Sequence, residues 1–269
     1  MSKLNANSVE LGSLTTTQRN ALTGVSAGTV IYNSTDGAVQ GYNGTGWDTL
    51  SNVPFTATGG TISDSGGVRT HTFTSPGTFT ASGADGSNVD VQVLGGGGGG
   101  SSGNQQWAVG GGGGGYAYAR LATVTPGTYP ITVGPGGARQ SSCGGSGNAG
   151  SPSTAFGFTG NGGGGNYYPG VGAGGGYSIP GGTDLGSSNG GNGNGSSGDG
   201  SGGGGNNGKR VANAPFTAWG GGASGVPNGS PGPDASGYGN GGAGGHSCQN
   251  GHPGGGAGSG GIVVISYSL

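Results

Sequence analysis

The side chains that could carry chemistry are few and scattered. His246, Cys248 and His252 follow one another at short spacing, and imidazole and thiolate so placed can ligate zinc, with Cys143 as a fourth donor. The spacing is not that of a zinc finger, and these residues read as polar loop residues, so no metal is expected. In GGGGNNGKR, Lys209 and Arg210 follow a glycine run. The Ser or Thr that a phosphate-binding loop places after its lysine is missing, and so is the strand before it. Nine acidic residues in the whole chain and no G-x-S-x-G elbow leave no acid–base pair and no activated nucleophile. The expectation is a protein that is not an enzyme and needs no cofactor.

Aromatic side chains are the better candidates for contact. Trp107, Tyr167, Tyr168, Tyr177, Phe216, Trp219 and Tyr238 lie in spacers between glycine runs. Rigid amphipathic rings of this kind anchor protein and sugar surfaces. The same rings could instead cover the flanks of glycine layers that have no side chains of their own. Cys143 and Cys248 are two thiols far apart in sequence; a disulfide closing so long a loop would contribute on the order of 4 kcal/mol. The sequence leaves the bridged and the reduced states both open.

Charge narrows the partners. Seven Lys and Arg and a net charge of -2 provide no basic stripe for a phosphate backbone, so no nucleic acid is expected. No apolar run approaches the roughly 20 residues that span a bilayer, so no membrane insertion is expected. The start, MSKLNANSVE, lacks the apolar stretch of a secretory signal, so if the protein works outside a cell, release by lysis or another signal-free route is expected.

The elements that must position these residues fall into two regions. Residues 1–52 form the first. Thr15 and Gln18 have capping-box spacing ahead of Ala21 and Leu22 and predict one short helix. Beyond it, Asp36-Gly37 and Asn43-Gly44 supply the positive-φ positions of tight turns between β-prone runs. The result is a small β-meander that exposes too much apolar edge to stand alone and should pack on other copies or a partner.

Residues 53–269 are glycine-rich, with a β-frame at 53–133 and 261–269 around residues 134–260. Within the frame, residues 68–74 alternate between two faces, Ser75-Pro76-Gly77 makes a turn, and residues 116–124, 129–133 and GIVVISYSL read as further strands. The runs Gly95, Gly96, Gly97, Gly98, Gly99, Gly100 and Gly110, Gly111, Gly112, Gly113, Gly114, Gly115 are candidates for a core with no side chains. Shorter runs recur at 162–165, 174–176, 202–205, 220–222 and 254–256.

With 79 glycines and only 6% charged residues, the default expectation would be disorder. Ordering a glycine costs about 1–2 kcal/mol or more of backbone entropy with no side-chain burial to offset it. Compensation has to come from the backbone. An extended helix of polyproline II type repeats every three residues and points its N–H and C=O groups outwards. Packed side by side, such polyglycine II helices can bond to neighbours all round, each bond contributing about 0.5–1.5 kcal/mol. All-glycine runs should then be interior, and stretches such as SNGGNGNGSSGDGSGG outer. A collagen triple helix is excluded by the missing Gly-X-Y period. The fold class expected is mostly β with polyglycine II helices: a small N-terminal helix and β-meander, then a β-framed glycine bundle.

HTFTSPGTFTASG, VDVQVLGGGGGG, GGGGGGYAYARLATVTPGTYPITVGPGG and the closing GGAGGHSCQNGHPGGGAGSGGIVVISYSL together resemble the glycine-rich domain of bacteriophage tail fibres and related virion appendages. TTTQRNALTGVSAGTVIYNSTDGAVQGYNGTGWDTL is similar to a short segment of structural proteins of marine and cyanobacterial phages. The resemblance implies a non-enzymatic fibre or adhesin on the virion surface, as a tail or capsid appendage. It implies contact with a host surface protein or glycan through the spacers, and with other virion proteins through residues 1–52. It also implies a homo-oligomer, a trimer by analogy. The alternatives are a capsid decoration or self-assembling extracellular filament without a receptor, and, further off, an ice-binding protein.

Overall fold

The computed structural model describes residues 10–50, 54–102, 107–140, 144–165, 170–193, 195–197, 231–245 and 254–269. The chain divides into two compact units, Met1–Pro54 and Phe55–Leu269. Among the described residues it is mostly β, with one short helix.

The first unit is a four-stranded sheet. Strands β1 (Ser13–Leu14), β2 (Val30–Asn33), β3 (Ala38–Tyr42) and β4 (Trp47–Thr49) lie in sequence order, with β1 parallel to β2 and the rest antiparallel. Helix α1 (Thr16–Asn20) starts at the expected capping box: the Gln18 amide donates to Thr15 Oγ1 at 3.2 Å, and the Thr15 amide to Gln18 Oε1 at 2.9 Å. Both expected turns form, with Gly37 at φ +64° and Gly44 at +102°, the left-handed region that a side chain disfavours.

A polar network replaces an apolar core here. The fully buried Asn33 donates from Nδ2 to Thr16 Oγ1 (3.0 Å), Asp36 Oδ2 (2.8 Å) and Gln40 Oε1 (3.0 Å), and accepts at Oδ1 from the Thr35 amide (3.0 Å). Arg19 Nη1 donates to the same Gln40 oxygen at 2.8 Å. The helix thus docks through hydrogen bonds and buries none of its own residues.

The second unit begins with β5 (Thr56–Thr58), β6 (Thr61–Ser65), β7 (Val68–Phe73), β8 (Gly77–Ser82) and β9 (Gly86–Leu94). They are followed by β10 (Trp107–Val109), β11 (Tyr116–Val124), β12 (Gly127–Ile131), β13 (Ser153–Ala155), β14 (Phe158–Gly160), β15 (Tyr177–Ser178), β16 (Thr183–Asp184), β17 (Gly195–Ser197) and β18 (Ile262–Ser268). The main sheet runs β16-β11-β9-β18-β7-β6 and is antiparallel throughout. The last strand of the chain therefore closes the middle of the sheet. Smaller sheets run β12-β8-β5 and β13-β14-β15.

Strand alternation builds the core. Val89, Val91 and Val93 of β9, Val263 and Ile265 of β18, and Phe79 and Phe158 pack together, all buried. On the other face, Leu94, Tyr116, Ile262 and Val264 form a second cluster beside the glycine segments.

The glycine runs that continue from β9 and into β11 hydrogen-bond with a period of three. The amides of Gly95, Gly98 and Ser101 donate to Gly115, Gly112 and Val109 at 2.8–3.0 Å. Those of Gly96, Gly99 and Ser102 donate to Ser151, Asn148 and Gly145, and those of Gly97 and Gly100 to Ser259 and Gly256. The carbonyls bond three further segments: Gly96, Gly97 and Gly98 accept from Gly163, Gly137 and Gly242 at 2.8–2.9 Å. One strand of glycine is thereby surrounded by six neighbours. The 110–115 run repeats the scheme, with Gly111 and Gly114 donating to Gly242 and Gly239, and Gly112 and Gly115 to Gly164 and Asn161.

Both six-residue runs are buried at every position. A Cβ at Gly97 would overlap the carbonyl oxygen of Asn240, and one at Gly98 that of Gly164. Backbone stands where side chains would, which is why only glycine fits.

The shorter runs correct the expectation that every all-glycine run is interior. In 162–165 only Gly163 is buried, and in 174–176 only Gly175. These segments are bonded to several neighbours but only partly enclosed, and their other glycines are half-buried. By contrast 254–256 is buried, and 188–193 is largely outer, as its Asn and Ser content requires. The runs 202–205 and 220–222 lie outside the described residues.

Candidate functional site at one end of the bundle

The glycine segments run back and forth between two ends. At one end they pass into strands: Leu94 to Gly95, Gly115 to Tyr116, Gly160 to Asn161, and Gly261 to Ile262. At the other end the residues flanking the spacers converge. Ser102 donates to Gly145 O at 3.1 Å and forms a bridge with Gly245; Gly232 donates to Gly254 O at 2.9 Å; β10 pairs with β17 at Trp107 and Ser197.

The described residues on either side of 103–106, 141–143, 198–230 and 246–253 meet at that one end; these stretches and 166–169 lie outside the described residues. They carry Tyr167, Tyr168, Phe216 and Trp219, and also Cys143, His246, Cys248 and His252, all of which lie outside the described residues. Trp107 begins β10 at the same end, paired through its backbone.

Two of the candidate aromatics are elsewhere. Tyr177 opens β15 opposite Gly160 at the strand end of the bundle, 37% exposed. Tyr238 is half-buried against the cluster of Leu94, Tyr116, Ile262 and Val264. The other five rings lie outside the residues whose side chains are described. Tyr238 covers the junction between strands and glycine segments, the alternative role foreseen for such rings.

Among the described residues no three His, Cys, Asp or Glu side chains are grouped so as to hold a metal ion. Among them, no helix is long and apolar enough to cross a membrane. A buried histidine, His71, is 0% exposed between Phe79 and Tyr267, with ring centroids 5.0 and 5.7 Å away. A carbonyl can only accept, so the 2.8 Å contact of Nδ1 with Gly59 O fixes the tautomer with its proton on Nδ1. Nε2 then faces Tyr267 Oη at 3.5 Å, and that oxygen accepts the Ala57 amide at 3.0 Å. Burial lowers the imidazole pKa. The set ties β5, β7 and β18 together and has no substrate-facing atom.

Asn33-Ser34-Thr35 matches the N-x-S/T pattern of a glycosylation acceptor, but the Asn33 amide is buried in the network of the first unit. A cleft of about 590 Å³ beside Tyr129 and Phe156 is a feature the sequence reading missed. Its one local sign is Ala155-Phe156-Gly157-Phe158, a two-residue turn between β-prone residues.

No curated protein matches the chain. A family model described as a glycine-rich domain matches residues 72–268, from β7 to the end of β18, and so takes in both the strand framework and the bundle. The chain belongs to this glycine-rich domain family.

Proposed function

We propose that the chain is a non-enzymatic bacteriophage fibre or adhesin protein on the virion surface, in which packed polyglycine II helices hold the spacer segments at one end, towards the host. The observation that carries this reading is the convergence of the spacer flanks on a single end of a bundle with backbone at its core. The three-residue hydrogen-bond period supports the polyglycine II form. A core of this kind is stiff without bulky side chains. Loops set on such a core can vary without disturbing it, which suits recognition of a host protein or glycan.

Residues 1–52 supply the attachment to other virion proteins or to further copies of the chain. Val30, Tyr32 and Leu50 lie exposed on the first unit, Leu50 at 54%, as an assembling module requires.

The test is binding of the purified full chain, labelled fluorescently, to a panel of intact bacterial strains. Selective binding to some strains, lost in the quadruple variant Tyr167→Ala, Tyr168→Ala, Phe216→Ala, Trp219→Ala at unchanged melting temperature, is expected. Equal binding by that variant would move recognition away from the spacers. Binding to no strain in a panel that includes a host susceptible to the particle would leave a fibre without receptor contact.

A further inference from the structure

The hairpin β13–β14 turns through Phe156 and Gly157, at φ +52° and +80°. Positive φ at both central positions defines a turn usually built from Asn or Gly, and a phenylalanine there is a backbone outlier. Phe156 and Asn88 are the non-glycine residues with positive φ among the described residues. Outliers of this kind point towards function when the side chain they display has a use.

The turn sets the Phe156 ring 4.5 Å from that of Tyr129, tilted by 38°, with Phe79 behind it at 5.7 Å. Tyr129 is fixed in turn: its hydroxyl donates to Thr125 O at 2.7 Å and lies 3.2 Å from Thr125 Oγ1. The two half-buried rings and Leu121 line the open cleft of about 590 Å³, and Thr123, Thr154 and Thr159 also contribute to its lining. No charged side chain lines it. The cleft is built on the strand framework, from β11, β12 and the β13–β14 hairpin, and shares no residue with the spacer flanks.

We infer that this cleft binds a neutral saccharide of one or two pyranose rings. The C–H face of a pyranose lies against aromatic rings as an apolar surface, while its hydroxyls need short neutral donors and acceptors beside those rings, which threonines supply. An acidic sugar would find no cationic partner for its carboxylate. An acyl chain would use the rings but would leave the threonine hydroxyls without a role. The volume lies within the range of small-ligand sites, and the open mouth admits the end or edge of a longer glycan. The site is independent of the spacer surface, so either assignment can fail alone.

Saturation-transfer NMR on the full chain tests it, using neutral di- and trisaccharides built on glucose, galactose, mannose and N-acetylhexosamines, with sialyllactose and decanoate as acidic and apolar controls. At least one neutral probe should bind at millimolar concentration or below. Phe156→Asn, which keeps a residue tolerant of positive φ while removing the ring, should weaken it at least tenfold. Thr123→Val, of nearly equal shape, should weaken it several-fold at unchanged melting temperature, and keeps the test decisive if the Phe156 variant does not fold. The spacer quadruple variant should bind the same probe normally. No neutral probe binding, binding indifferent to both cleft variants, or a preference for sialyllactose or decanoate would each overturn the assignment.

Discussion

The amide of Gly98 donates to the carbonyl oxygen of Gly112 at 2.8 Å, and the space a side chain on Gly98 would need is held by the carbonyl of Gly164. Hydrogen bonding and exclusion of Cβ are here two aspects of one close approach between backbones. Gly98→Ala must push three bonded segments apart, and overpacking of this kind costs about 1–3 kcal/mol or more. Denaturant unfolding of the second unit should show a loss of at least about 2 kcal/mol. Gly127→Ala, in a strand where an added Cβ meets nothing closer than 3.7 Å, is the control and should change stability little.

Amide hydrogen exchange should rank the glycine segments by position. Residues 95–100 and 111–115 have every amide bonded and every residue buried, so they should exchange only through large openings of the unit. Exposed positions of the outer segments, such as Ala173 and Asn192, should exchange orders of magnitude sooner. Exchange of the two central runs at free-peptide rates would sink the backbone core.

Stability of the second unit should depend on pH through His71. Its pKa is lowered in the folded state by burial, so the unfolded chain takes up the proton first. Stability should be level above about 6.5, the ordinary histidine value, and decline as pH falls from there towards the lower folded value. Urea midpoints at pH 7.5 and 5 would show it. His71→Gln should flatten that slope while lowering stability at both values, because Gln can keep the bond to Gly59 O but not the ring packing on Phe79 and Tyr267.

In the first unit Asn33→Ala should be strongly destabilising. It removes the buried amide that joins Thr16, Thr35, Asp36 and Gln40, and each buried hydrogen bond to it that is lost costs about 1–3 kcal/mol where the partner is left unsatisfied, although Gln40 keeps its bonds to Arg19 and Asp36. The check is loss of dispersed amide resonances from residues 10–50 while those of the strand framework persist. Unchanged resonances throughout would mean that the network is dispensable.

What the sequence determined by itself was local. Thr15 with Gln18, Asp36-Gly37, Asn43-Gly44 and the β-branched run at 262–265 each specify backbone geometry through contacts a few residues apart, and each forms as the spacing requires. The two longest glycine runs were legible as core for a related reason, since nothing but backbone packing could order them. Tertiary structure decided the rest. Whether a short run such as 162–165 is inside or outside depends on how many neighbours surround it, and its own residues do not encode that number. Tyr177 and Tyr238 could not be separated from the spacer rings, because their places follow from which end of the bundle each segment reaches. The cleft at Tyr129 and Phe156 exists only because β11, β12 and a hairpin distant in sequence meet, and packing at that range leaves almost no local trace.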